Sequence, residues 1–145
     1  MNYTTVPEMF YSIINDSLDK NVFNYKKDKE WVSLSGLEIK NSVNKIASSL
    51  KSINIINNDK VAILSNTSYK WALCDYGILC NGSTTVTVYP TLISSQVEFI
   101  LNNSETVLIF VENEDQYNKI ININEKCPQL KFIVMMNNSL PEESN

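Results

Sequence analysis

The chain has 145 residues, 43% of them hydrophobic, and a formal net charge of −4. This length fits one domain with its own hydrophobic core, and the ordinary apolar content argues against disorder. All 12 basic residues are lysines and there is no histidine. The composition therefore excludes histidine-dependent triads and zinc sites, and with a pI near 4.8 it also argues against a nucleic-acid partner.

The N-terminal part predicts a helix followed by a β-hairpin. Residues 5–16 carry apolar side chains at helical spacing, and Thr5 and Glu8 match a capping box. Residues 22–25 and 31–34 read as strands on either side of a charged turn at 26–30.

A second helix is predicted to begin after Ser35, with Glu38 as its capping partner. Apolar residues recur along it at spacings of three and four, at Ile39, Val43, Ile46, Leu50 and Ile53. This pattern indicates an amphipathic helix; two heptads are too few to favour the alternative, a coiled coil.

From residue 60 onwards, short apolar strands alternate with helices. The predicted strands are residues 61–64, 84–89, 107–111 and 132–136. The first predicted helix covers residues 69–80 and ends before Gly82. A second helix is capped by Ser94 or Ser95, with Ser95 and Glu98 forming a capping box, and a third begins at Asn113 with Gln116 as its partner. Continuous apolar strands separated by helices indicate a parallel sheet that is buried on both faces. The predicted fold class is α/β, an open and mainly parallel sheet with helices on both faces, preceded by a helix and a β-hairpin.

Three cysteines, Cys74, Cys80 and Cys127, are present, and no two have the spacing of a metal or redox motif. We expect buried or half-buried free thiols in a reducing, cytoplasmic compartment, and no metal. The first residues lack a signal-peptide pattern, and no apolar run is long enough to span a membrane.

Few residues qualify as candidates for a binding or catalytic site. The three glycines lie too far apart for a phosphate loop. Residues 65–68 offer donors to an anion or, more simply, helix caps, and Glu112, Glu114 and Asp115 follow a strand but also suit a solvated helix start. A phosphoacceptor site is disfavoured because the strand at 61–64 ends in Ser65-Asn66, without an acid.

The remaining chemistry-bearing side chains are expected to be structural. Asp75 is expected to cap or pair locally, and Trp71 to be buried in one core with Ile63. Four aromatic residues are assigned to the core rather than to a base-stacking surface, because no basic residues interleave with them: Trp71, Tyr76, Tyr89 and Phe99.

Residues 79–92, LCNGSTTVTVYPTL, resemble the early part of adenylate-forming enzymes, and most closely the long-chain fatty acid–CoA ligases. In that family a helix leads through a small-residue turn into a strand ending in Tyr-Pro-Thr, and a helix with the Gln96-Val97 pair follows. Residues 31–38 and 60–66, Trp71 and Cys127-Pro128 agree in the same order. The resemblance runs from Thr5 to about Met136, although Asn81-Gly82-Ser83 replaces the family's usual alanine and glycine.

The resemblance implies ATP and coenzyme A as co-substrates, Mg²⁺, and a fatty acid substrate. The family's phosphate loop, adenine and ribose contacts and catalytic lysine have no matching positions in this chain. We therefore expect residues 1–136 to be the N-terminal portion of a larger AMP-binding domain, residues 137–145 to be a polar tail, and no catalytic, cofactor or metal residue in between.

The expected partner of this segment is the remainder of its own domain. Two other interpretations stay open: a stand-alone α/β module that binds a small ligand at the strand ends, and a different adenylate-forming enzyme that acts on an aryl or amino acid. Peripheral membrane contact also stays open, although no basic amphipathic segment argues for it.

Overall fold

The computed structural model describes residues 2–137, which form twelve elements. The predicted tail therefore lies, from Asn138 onwards, outside the described residues. In chain order the elements are α1 (Val6–Asn15), β1 (Asn21–Lys27), β2 (Glu30–Ser35), α2 (Gly36–Ser52), β3 (Lys60–Leu64), α3 (Tyr69–Cys80), β4 (Thr84–Val88), α4 (Ser94–Ser104), β5 (Thr106–Val111), α5 (Glu114–Ile121), a short 3₁₀ helix (Asn124–Lys126) and β6 (Phe132–Met135). The contacts divide them into two compact units: a helical unit, residues up to Asn57 with Thr67–Ser83, and a sheet unit, Asn58–Asn66 with the residues from Thr84 onwards.

In the helical unit, α1 and α2 begin much as the sequence predicts. The hydroxyl of Thr5 accepts from the Glu8 N–H, but the Glu8 carboxylate bonds Thr4 instead of closing the predicted box. The complete box is at α2, where Ser35 accepts from the Glu38 N–H and Glu38 accepts from the Ser35 N–H. These contacts satisfy amide groups that have no partner within the helix.

The start of α2 lies against the loop after α1. The N–H of Gly36 donates to Lys20, and the N–H of Leu37 donates to Leu18. A Cβ at Gly36 would lie 2.1 Å from the carbonyl oxygen of Ser17, so only glycine allows this approach.

The end of α3 is also the predicted one. Gly82 has φ +84°, and the N–H groups of Gly82 and Ser83 donate to Leu79 and Ile78. This left-handed glycine with two backward hydrogen bonds is the Schellman ending of a helix.

The core of the helical unit is rich in aromatic residues. Phe10 stacks on Tyr76 with 4.7 Å between ring centroids, and Tyr25 stacks on Tyr69 at 4.1 Å. Its buried members are aliphatic or phenylalanine side chains from α1, α2 and α3: Phe10, Ile14, Ile39, Val43 and Leu73. Trp71 is only half-buried, so the prediction that it is buried is wrong, whereas Ile63 is fully buried.

The sheet unit contains four parallel strands in the order β4-β3-β5-β6. Strand β3 has no exposed residue and β5 is buried in all but one position. Burial of consecutive residues means that both faces of the sheet are covered. The predicted α/β class, with a parallel sheet flanked by helices and preceded by a helix and hairpin, is confirmed.

One face of the sheet carries the core of this unit. Alternate residues of β3 and β5, among them Leu64 and Ile109, pack with Val97 and Leu101 of α4 and Ile120 of α5. The period of two along the strands and of three or four along the helices produces this apolar layer.

Helix α4 begins differently from the prediction. Its N-cap is Ile93, and the side-chain carbonyl of Gln96 accepts from the Ile93 N–H at 3.2 Å, so the predicted box of Ser95 and Glu98 is wrong. The core assignment is also wrong for two of the aromatic residues, since Tyr89 is 74% exposed and Phe99 68% exposed.

Candidate functional site

The connections of the sheet change direction between β3 and β5. Strand β4 lies on one side of β3, whereas β5 and β6 lie on the other. In open α/β sheets this change leaves a crevice at the carboxyl ends of the two central strands, where ligands bind. The residues at this edge are therefore the first candidates for a site.

A side-chain pair joins the two strand ends at this point. Asn66 follows β3, and both its backbone N–H and its side-chain amide donate to one carboxylate oxygen of Glu112, at 3.0 and 2.9 Å. Glu112, half-buried, follows directly after β5. These hydrogen bonds hold the two strand ends together, and they place a carboxylate and an amide where the crevice would open.

The other candidates at this edge are structural. Ser68 alone caps α3, by accepting from the Trp71 N–H, while Ser65 donates to the carbonyl of Asn66. Glu114 and Asp115 are exposed in the first turn of α5, which Asn113 caps as predicted. Acids favour this position because the helix dipole is positive there.

A second feature of the edge is a lysine clamp that sequence reasoning missed. The ammonium of Lys119, on α5, donates to the carbonyls of Pro90 at 2.8 Å and Leu92 at 2.9 Å, and Gln116 also reaches Pro90. The clamp fixes the Tyr-Pro-Thr loop after β4. It could not be read from the sequence because it joins residues 27 and 29 positions apart through backbone oxygens that every residue has.

The three cysteines are free, and Cys74 and Cys127 are buried, as predicted. Burial raises the pKa of the Cys74 thiol to about 12, with a smaller contribution from Asp75. Burial also raises the pKa of Cys80, which a hydrogen bond with Tyr11 partly offsets, and that of Cys127. These thiols are protonated at neutral pH and are poor nucleophiles.

Within residues 2–137, no three acidic or cysteine side chains are close enough together to hold a metal ion. Nor does any helix in this range combine the length and apolarity needed to cross a membrane.

Comparison with known families matches residues 9–145 to the AMP-binding enzymes. Among curated proteins, the chain is 28% identical to the long-chain-fatty-acid–CoA ligase FadD15 of Mycobacterium bovis over 139 residues, which are 96% of this chain and 23% of that protein. The chain thus spans about a quarter of the length of this relative.

Solved structures show the same fold. The anthranilate CoA ligase AuaEII superimposes with a TM-score of 0.82 at 20% identity, over 92% of this chain and 25% of the ligase. The N-terminal domain of FACL13 from Mycobacterium tuberculosis gives a TM-score of 0.81 at 17% identity, over 97% of this chain and 38% of that one.

Proposed function

Because this chain belongs to the AMP-binding enzyme family, we propose that it is the N-terminal segment of an ATP-dependent long-chain fatty acid–CoA ligase. The observation that carries the choice of substrate is the match to FadD15, which is collinear over 96% of the chain. The structural neighbours support the fold of such an enzyme and leave the acid open.

The proposed reaction has two steps. An oxygen of the fatty acid carboxylate attacks the α-phosphorus of ATP, and pyrophosphate leaves with the cleaved bond's electron pair. The thiolate of coenzyme A then attacks the carbonyl carbon of the acyl-adenylate, and AMP leaves. Magnesium offsets the phosphate charge in such reactions; no residue of this chain is assigned to it.

In this proposal the chain has a scaffolding role. Its thiols are protonated, it has no histidine, and the acids at the sheet edge are either bonded to Asn66 or solvated. What it contributes is the position of a parallel sheet whose central strand ends are joined by Asn66 and Glu112, and a loop fixed by Lys119. Adenylation depends on positioned charge, which such a scaffold supports but does not supply.

The test compares two proteins: the complete translated product that contains this sequence, and the 145-residue chain alone. Pyrophosphate release and acyl-CoA formation are measured with ATP, coenzyme A and palmitate, and then with acetate, acetoacetate or anthranilate instead of palmitate. We expect the complete product to prefer palmitate and the 145-residue chain to release pyrophosphate no faster than a no-protein control.

Each alternative result has a definite meaning. A preference for anthranilate or a short acid would reject the long-chain substrate and keep the family. Steady turnover by the 145-residue chain, surviving repurification, would reject the scaffolding role. Binding of a small ligand by a complete product without ligase activity would favour the stand-alone module.

A further inference from the structure

Asn81 caps the end of α3, and it is the one asparagine of the sequence that precedes a glycine. A glycine has no side chain to shield its backbone nitrogen, so the carboxamide of a preceding asparagine is open to attack by that nitrogen. In the folded protein this carboxamide already has partners. Its Nδ2 donates to the carbonyl of Ile55 at 3.0 Å and to the hydroxyl of Ser83 at 2.9 Å. Asn81 therefore joins the end of α3 to the loop that follows α2.

The backbone at Asn81 opposes this attack in the folded state. Closure of a five-membered ring requires Cβ, Cα and the carbonyl carbon of Asn81 to lie nearly in one plane with the nitrogen of Gly82. At ψ −12° the Gly82 nitrogen is almost eclipsed with the backbone nitrogen of Asn81, so it points away from Cβ. The Gly82 N–H also donates to the carbonyl of Leu79 at 3.0 Å. The last turn of α3 must therefore open before the ring can form.

We propose that Asn81 is a deamidation site whose reaction is controlled by the opening of the last turn of α3. In the open state the nitrogen of Gly82 loses its proton to hydroxide and attacks Cγ of Asn81. The N–Cγ bond forms and the Cγ–Nδ2 bond breaks, and Nδ2 takes a proton from water and leaves as ammonia. Water then adds to either carbonyl of the resulting succinimide and opens it to aspartate or isoaspartate. No group is oxidised or reduced.

The aspartate product lacks the contacts that Asn81 makes. A carboxylate at position 81 has no N–H to donate, and it faces the carbonyl oxygen of Ile55, which is also an acceptor. Its negative charge is unfavourable at the end of α3, where the helix dipole is negative as well. Ser83, which bonds Asn81, also donates to the carbonyl of Ile56, so the change reaches a second contact with the same loop. Deamidation should therefore weaken the attachment of residues 53–57 to α3, and this holds whatever reaction the complete protein catalyses.

The test is peptide mapping by mass spectrometry of the complete protein, incubated folded in buffer or unfolded in urea at the same pH. We expect Asn81 to be converted about tenfold more slowly in the folded protein, because only the open fraction reacts. Ser83→Ala removes one acceptor of the carboxamide, so it should speed the conversion in buffer about fivefold, the equivalent of one hydrogen bond, and leave the rate in urea unchanged. Ser33→Ala is the matched control. It removes a hydrogen bond to Asn24 in the hairpin and should change neither rate.

Melting temperatures test the consequence of the reaction. Asn81→Ala removes the two hydrogen bonds, and Asn81→Asp removes them and adds the charge of the product. We therefore expect the parent to melt at the highest temperature and Asn81→Asp at the lowest. An Asn81→Asp protein as stable as the parent would reject the weakened attachment.

Three results of the mapping would overturn the proposal. The first is no conversion of Asn81 in urea, because the Asn-Gly pair would then be unreactive even when the chain is free. The second is equal conversion in buffer and in urea, because the end of α3 would then give no protection. The third is an acceleration by Ser33→Ala as large as that by Ser83→Ala, because a general loss of stability would then account for both.

Discussion

The cores of the two units of this chain consist of different kinds of side chain. In the sheet unit the core is almost entirely aliphatic, and Leu64, Val97, Ile109 and Val111 are each 0% exposed. In the helical unit the core includes stacked aromatic rings, several of them half-exposed. Aliphatic side chains on a parallel sheet are enclosed on all sides, whereas tyrosines keep a hydroxyl at the surface. The stability of the sheet unit should therefore depend on how completely side chains fill its core. The stability of the helical unit should depend on ring contacts and hydrogen bonds.

The largest expected effect is in the sheet unit. Ile109→Ala removes three buried carbons where the sheet cannot collapse, and should lower the free energy of unfolding by about 4 kcal/mol. Tyr76→Ala, in the helical unit, should cost about half as much, because Tyr76 is half-buried and loses mainly a ring contact. Urea denaturation measures both, with Ile109→Val, at about 1 kcal/mol, as the control. If Tyr76→Ala were as damaging as Ile109→Ala, the contrast between the two cores would fail.

A close backbone approach in the helical unit should give the next largest effect. Gly36→Ala places a Cβ 2.1 Å from the Ser17 carbonyl oxygen, so a backbone segment must move, at a cost of about 2–3 kcal/mol. Gly82→Ala is the comparison: the atoms nearest to its Cβ belong to the side chain of Asn57, and the left-handed backbone adds about 1–2 kcal/mol of strain. Thermal denaturation should rank Gly36→Ala as the more destabilising; the reverse order would mean that the loop after α1 yields easily.

Removing a hydrogen bond in the helical unit should have a smaller effect on stability. The hydroxyl of Tyr11 donates to the side-chain oxygen of Asn44 at 2.7 Å, and joins α1 to α2. Tyr11→Phe keeps the ring and should cost about 1 kcal/mol, the usual net value of such a bond. A double-mutant cycle with Asn44→Ala isolates the pair. Additive losses in the cycle would show that the two side chains are not coupled.

The sequence predicted the sheet unit's strands well because their signal is local. Residues 61–64 and 107–111 are continuous apolar runs, and the observed β3 and β5 each extend them by one residue at the start. The caps of α2 and α5 were also identifiable, because a cap and its partner are three residues apart. These caps are Ser35 with Glu38 and Asn113 with Gln116.

The errors fall where the outcome depends on distant residues. Tyr89 and Phe99 carry the same apolar rings as Phe10, yet they are exposed, and nothing within a few residues of them distinguishes the two situations. The start of α4 was misplaced because Ile93 offers no capping side chain and the contact comes from the Gln96 carboxamide. Both parts of the candidate site, Asn66 with Glu112 and Lys119 with the loop after β4, join residues from separate elements. No local pattern marks such pairs.

The smallest expected effect is a dependence of stability on pH. It should be present at the start of α2, in the helical unit, and absent at the start of α4, in the sheet unit. At α2 the Glu38 carboxylate accepts from the backbone N–H and the hydroxyl of Ser35, and these hydrogen bonds lower its pKa. At α4 the corresponding acceptor is Gln96, which does not titrate. A carboxyl whose pKa is lower in the folded state stabilises the protein above its unfolded pKa, and this contribution disappears as the pH falls through the folded pKa.

The helical unit should therefore lose the Glu38 contribution as the pH falls below the ordinary range of a glutamate and through the lowered pKa of Glu38, whereas the start of α4 should be indifferent to pH. Glu38→Gln keeps an acceptor in place and removes the charge, so this variant should be slightly less stable than the parent at pH 7, and the difference should be smaller at pH 3. Melting temperatures of both proteins at the two pH values measure the difference, and Gln96→Glu is the converse variant, because it should introduce the same pH dependence at α4. If the parent and Glu38→Gln differed equally at both pH values, the side chain would act through its shape and not through its charge. The capping box would then be no more sensitive to pH than the amide contact at α4.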